Sequence, residues 1–169
     1  ERGTRDIDLS ADFRLKDAAE YRQWYEVEHP SPSLLTRAVY GLPELHRAEI
    51  AAASIVASPG CYPTATLLAL APVLKEGLVE PDIIVDAKSG VSGAGRGLAL
   101  NTHYSEVNES VTAYALGGHR HHPEMLQELR FLNPALSPSL TFIPHLIPMT
   151  RGILATCYAR LRKQVSRAQ

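Results

Sequence analysis

Two cysteines in 169 residues are too few for a disulfide framework, so the thiols are read for reactivity in a reducing compartment, the cytoplasm. Lys and Arg number 17 against 18 Asp and Glu, a formal net charge of -1, and no long run has one sign. That balance argues against an electrostatic footprint for nucleic acid or an anionic membrane surface. No apolar run is long enough to span a bilayer and no charged-then-apolar leader is present, so the expected partners are small molecules met in solution. The dinucleotide fingerprint G-x-G-x-x-G occurs nowhere, and neither do internal repeats or low-complexity segments. The chain begins Glu1 and runs at once into Asp6-Ile7-Asp8-Leu9, a strand already inside a fold, which reads as part of a longer chain.

What is present reads as α/β. Helical character covers residues 17 to 25, and the prolines of His29-Pro30-Ser31-Pro32 break it, each removing a donor and forcing its predecessor extended. A helix over 44 to 53 precedes a buried strand at Ser54-Ile55-Val56-Ala57, which ends on the turn Ser58-Pro59-Gly60. Leu67, Leu68, Leu70, Ala71 and Leu74 predict a mostly buried helix over 64 to 76, stopped by Gly77. A buried strand at 83 to 87 opens into the glycine-rich loop 89 to 95. Pro123 is expected at the first position of a helix running to Phe131. Two long strands, 140 to 147 and 152 to 161, are expected to pair antiparallel through the link Pro148-Met149-Thr150-Arg151.

Cys61 follows a strand and a Pro-Gly turn at the start of a helix, where unpaired backbone N–H groups and the positive end of the dipole favour a thiolate and can hold an oxyanion. Cys157, in Leu154-Ala155-Thr156-Cys157-Tyr158, is strand interior and is read as core. A second constellation is Gly117-Gly118-His119-Arg120-His121-His122-Pro123-Glu124. Its three histidines lack partners at a metal-ligand spacing, so no metal is expected, and an acid-base or carbonyl-donating role suits His119 or His121 better. Gly117 and Gly118 would let the backbone approach a ligand, and His122 reads as a helix-capping residue. The nitrogens of the loop 89 to 95 could form an anion-binding nest. Arg96, Arg120 and Arg151 are candidates for a carboxylate or phosphate, since a guanidinium fork matches either; the sequence does not rank them.

Several motifs in one order then carry a resemblance: I-D-L-S-A-D-F-R-L (7 to 15), Y-G-L-P-E-L (40 to 45), S-P-G-C-Y-P-T-A (58 to 65), D-A-K-S-G-V-S-G-A-G-R (86 to 96), E-V-N-E (106 to 109), G-H-R-H (118 to 121) and P-H-L-I-P-M-T-R-G-I-L-A-T (144 to 156). The chain resembles the N-acetyl-γ-glutamyl-phosphate reductases of the aspartate-semialdehyde-dehydrogenase-like group. The resemblance implies residues 1–60 as a remnant of a Rossmann-type dinucleotide-binding domain and 61–169 as an α+β catalytic domain with a mixed or antiparallel sheet, incomplete at its end. It implies NADPH-dependent reduction of an acyl phosphate to a semialdehyde in arginine biosynthesis, through a thioester on Cys61, with His119 as acid-base group. Arg120, His121 and Arg151 would meet the substrate, Ser89 and Gly90 the NADP, and the whole protein would be a homo-oligomer. A related lysine-pathway reductase of aminoadipyl phosphate and a truncated, non-catalytic module are the alternative readings.

Overall fold

The computed structural model describes residues 3–164 and 166. The first sixty residues contain β1 (Asp6–Asp8), α1 (Ala18–Tyr25), α2 (Pro32–Leu35), β2 (Ala38–Tyr40), α3 (Pro43–Ala52) and β3 (Ile55–Ala57). The three strands form one parallel sheet in the order β1-β3-β2. Helix α1 starts where the Asp17 carboxylate accepts the Ala19 N–H at 2.8 Å, and it stops where Glu26 turns left-handed at φ 58°. Beneath it a small core gathers Leu15, Tyr21 and Leu35, and the buried Tyr21 hydroxyl is satisfied by Leu15 N–H and Ala11 C=O, both at 3.0 Å.

The rest comprises α4 (Cys61–Lys75), β4 (Val79–Ser89), two short 3-10 turns (Val91–Ala94 and Leu100–Thr102), α5 (Tyr104–Val107), β5 (Thr112–Ala113), α6 (His122–Leu132), β6 (Ser139–Leu146) and β7 (Ile153–Leu161). These strands form a mixed sheet ordered β5-β6-β4-β7. Strand β4 runs parallel to β6 and antiparallel to β7. Alternation fixes its two faces: Ile83, Val85 and Ala87 are buried against α4 and α6, while Ile84 points outward with Leu154 and Tyr158 of β7. The main core is therefore a helix layer on one face of the sheet.

Three expectations need correction. The last two strands do not pair with each other, because β4 lies between them. The link joining them wraps the end of β4 instead of closing a hairpin: Ile147 N–H bonds Ser89 O at 3.0 Å, Val91 N–H bonds Met149 O at 2.8 Å, and Gly90 N–H bonds Gly152 O at 2.9 Å. Gly90 is required there, since a Cβ would lie 2.7–2.9 Å from Arg151 backbone atoms. Second, α4 begins at Cys61 rather than at residue 64; Pro63 fits in the first turn, where a missing N–H breaks no intrahelical bond. Third, α6 begins at His122, one residue before Pro123, and no side chain caps it. The His122 ring instead bonds Leu140 O at 3.0 Å and stacks on Trp24 at 5.6 Å, so its role is packing.

Candidate active site

Cys61 is the first residue of α4, and it is exposed. It borders a cavity of about 440 Å³ lined with Thr64, Ser89, Gly90, Ser92, Gly93, Gly152 and Ile153. The N–H groups of Cys61 and Tyr62 lie in the first turn of α4, where a helix offers no acceptor of its own. Ser89 is buried, and its hydroxyl donates to Gly90 O at 3.0 Å. Thus the two residues assigned to the cofactor share a cavity with the cysteine assigned to the chemistry, although 28 residues of sequence separate Ser89 from Cys61.

The turn before Cys61 is held through the backbone of Ser58 and Gly60. Ser58 N–H donates to Asp8 O at 2.8 Å, and Arg14 Nε donates to Ser58 O at 2.7 Å. Pro59 has no donor. Gly60 N–H donates to Glu124 Oε1 at 2.7 Å, and Gly60 O accepts from both Thr64 N–H at 3.0 Å and Thr64 Oγ1 at 2.9 Å. The fully buried Glu124 also accepts from Tyr40 OH at 2.8 Å, and Arg14 Nη1 stands 3.8 Å from its second oxygen. Burial pushes the Glu124 carboxyl above the usual range, opposed by the Gly60 N–H and by Arg14.

The histidine loop packs against the same turn. His121 is buried, and a Cβ on Gly60 would lie 2.7 Å from its Nε2 and 3.0 Å from Glu124 Oε2. Gly60 has an ordinary extended backbone, φ -66°, so it is glycine for close approach and not for conformation. His119 and His121 have ring centroids 4.8 Å apart, and both set edges against Tyr62, at 5.6 and 6.1 Å. His121 N–H donates to His119 Nδ1 at 3.0 Å, which in the neutral ring puts the His119 proton on Nε2. Burial, then Arg120, holds His119 down to about 4; burial, then His119, Arg14 and Arg120, holds His121 down to about 3. Both rings are neutral at neutral pH.

The structure brings Cys61, Ser89 and Gly90 together and sets the His119–His121 pair against Gly60 and Tyr62. The Arg120 and Arg151 side chains are exposed; Arg120 bears on both histidines, while the Arg151 backbone packs on Gly90. Gly118 uses its glycine conformation, φ +135°, to sit against Trp24, where a Cβ would meet the ring at 3.0 Å, and with Gly117 and His119 it also lines a cavity. Cys157 is half-buried against the core, and burial raises its thiol. Arg14, Tyr40 and Glu124 were not singled out by the sequence, nor was the Tyr62–Tyr114 hydroxyl pair at 2.8 Å. The usable signal was Glu124 itself, three residues after His121 in a first helical turn whose other side packs inward. Among the described residues, no group of three His, Cys, Asp or Glu side chains is arranged to hold a metal ion.

A family model described as the semialdehyde dehydrogenase dimerisation domain matches residues 61–169. Proteins named N-acetyl-gamma-glutamyl-phosphate reductase from Dehalococcoides mccartyi strain CBDB1 and Geobacillus stearothermophilus are 56% and 57% identical, each over 98% of this chain. The chain spans about half of them, 49% and 48% of their lengths. Among solved structures, aspartate semialdehyde dehydrogenase II from Vibrio cholerae shares the fold at a TM-score of 0.63 and 17% identity, over 94% of this chain and 49% of that one. The NADP-bound aspartate semialdehyde dehydrogenase from Candida albicans follows at a TM-score of 0.55 and 10% identity, over 97% and 46%. The chain belongs to the semialdehyde dehydrogenase family, in the company of relatives named N-acetyl-gamma-glutamyl-phosphate reductase.

Proposed function

We propose that this chain carries the catalytic half of an NADPH-dependent reductase that converts N-acetyl-γ-glutamyl phosphate to the semialdehyde and phosphate, in arginine biosynthesis in the cytoplasm. The observation that carries the reading is an exposed cysteine at a helix start, on a turn anchored by backbone hydrogen bonds at Ser58 and Gly60, with a pair of neutral histidines packed behind that turn. Cys61 Sγ attacks the acyl carbon, the C–O bond to phosphate breaks, and a thioester forms on the protein. The free N–H groups of Cys61 and Tyr62 hold the oxyanion at the carbonyl. His119, proton on Nε2, donates a third hydrogen bond to that oxygen; being neutral, it acts as a donor and not as a store of an extra proton. His121 braces Gly60, and Arg120 and Arg151 are the exposed cations available to substrate carboxylate or phosphate.

The small side chains of the Cys61 cavity fit a flat ring beside the sulfur, and Ser89 and Gly90 would hold NADP there. When bound, NADPH supplies the hydride. Residues 1–60, with three parallel strands, suit a remnant of the dinucleotide-binding domain, and residues 61–169 suit the catalytic domain. The outward Ile84, Leu154 and Tyr158, beside the ionisable Asp86, Lys88 and His145, give the sheet a mixed face suited to a second copy, in keeping with the family's description as a dimerisation domain. The reductase names of the relatives favour the arginine-pathway substrate over an aminoadipyl one.

The test is thiol selectivity. At neutral pH Cys61 is expected to alkylate at least about tenfold faster than Cys157, and prior addition of N-acetyl-γ-glutamyl phosphate should protect it. Equal rates, or faster labelling of Cys157, contradict the assignment.

A further inference from the structure

We infer that Glu124 is a positioning residue that sets the Cys61 turn in register with the His119–His121 loop; this rests on the reading of Cys61 as nucleophile. Glu124 sits in the first turn of α6, directly after the histidines, so its backbone moves with their loop. Its carboxylate reaches across 64 positions of sequence to the Gly60 N–H, at 2.7 Å. One side chain therefore spans the two halves of the site. Tyr40 OH, on the same oxygen at 2.8 Å, prevents that oxygen from turning away. Arg14 closes the frame, with Nε on Ser58 O at 2.7 Å and Nη1 3.8 Å from Glu124 Oε2.

A second observation points the same way. Glu124 Oε2 and His121 Nδ1 are both buried without a hydrogen-bond partner, an arrangement costly for stability that a purely structural glutamate would not need. Of the two, Oε2 faces the site: with the Nε2 edge of His121 it converges on the place where Gly60 would carry a Cβ. A hydrophobic residue at position 124 would fill this space with no orphan oxygen, but it would leave the Gly60 N–H unbonded and the turn free to shift. Displacements of about 1 Å at a reacting atom cost on the order of 100-fold in rate.

The experiment reads two local quantities in this chain: amide exchange at Gly60, and Cys61 alkylation at neutral pH, resolved from Cys157 by peptide mapping. Glu124→Gln, whose amide oxygen still accepts from Gly60, should keep both within about threefold of the unaltered chain. Glu124→Ala should speed Gly60 exchange and slow Cys61 alkylation by about tenfold or more, leaving exchange of the central α4 amides unchanged. Glu124→Asp, which withdraws the oxygen by one methylene, should fall between them and carries the test if the alanine variant does not fold. Faster Gly60 exchange with unchanged Cys61 alkylation would overturn the inference and leave Glu124 a structural residue. If Cys61 in the unaltered chain reacts no faster than Cys157, the nucleophile reading fails instead.

Discussion

Replacing Gly60 by alanine sets two physical effects against each other. At φ -66° and ψ 155° the backbone suits alanine, and fewer unfolded conformations would by themselves stabilise the chain by about 0.4–1 kcal/mol. The new Cβ, however, would lie 2.7 Å from His121 Nε2, 2.9 Å from His121 Cε1 and 3.0 Å from Glu124 Oε2. Neither neighbour is the loose end of an exposed chain: both residues are buried, and Glu124 is held by Tyr40 and by Gly60 itself. Forcing the contact costs about 1–3 kcal/mol as overpacking, and stretching the N–H bond to a charged acceptor adds up to about 1.5–3 kcal/mol. The contact wins, with a net loss of about 2 kcal/mol, or a Tm lower by about 4–8 °C for a chain of this size. Urea denaturation with a two-state fit measures it. A Gly60→Ala variant as stable as the unaltered chain, or more so, refutes the reasoning and means that the His121 ring and Glu124 have room to retreat.

Because burial depresses His121 to about 3, folding favours its neutral ring; that contribution is complete above about 6.5 and is lost as pH falls toward 3. Between pH 7 and 5 the unaltered chain should therefore lose about 1–2 kcal/mol more stability than His121→Asn, measured by parallel denaturation curves; an equal pH dependence would contradict the buried-neutral assignment. In an active enzyme carrying both halves, His119→Asn should lower kcat by about 10²- to 10³-fold, the cost of an oxyanion donor, with little change in KM, whereas His121→Asn should act more on KM and stability. Steady-state kinetics of the two variants checks this, and the reverse pattern moves the donor role to His121.

The elements that local chemistry dictates were legible in the sequence. The run Ile83-Ile84-Val85-Asp86-Ala87 read as a buried strand, and the spacing of Leu67, Leu70 and Leu74 as the buried helix. The strand order was not legible, because the preference of β4 for two partners is a property of the assembled sheet, and the six residues from 147 to 152 fit either a hairpin or a wrap around its end. Cys61 and the histidines stood out by residue type and by the glycines beside them. Glu124, Arg14 and Tyr40 did not: an acidic residue in a first helical turn ordinarily answers the dipole in solvent, and only the packing of α6 on the Gly60 turn buries this one. The contact of Gly118 with Trp24, 94 residues earlier in the chain, was not legible either, since it belongs to the tertiary packing.

The most direct measurement is acyl transfer to the protein itself. N-acetyl-γ-glutamyl phosphate is added to this chain without nucleotide, phosphate release is followed, and the site of modification is read by peptide mass. Capture needs only the thiol and the oxyanion donors, so one acyl group should appear on Cys61, labile to hydroxylamine as a thioester is, with one phosphate released for each group bound; Cys61→Ser should abolish it. Acylation of Cys157 or of surface amines at comparable rates, or phosphate release unchanged in Cys61→Ser, would contradict the account.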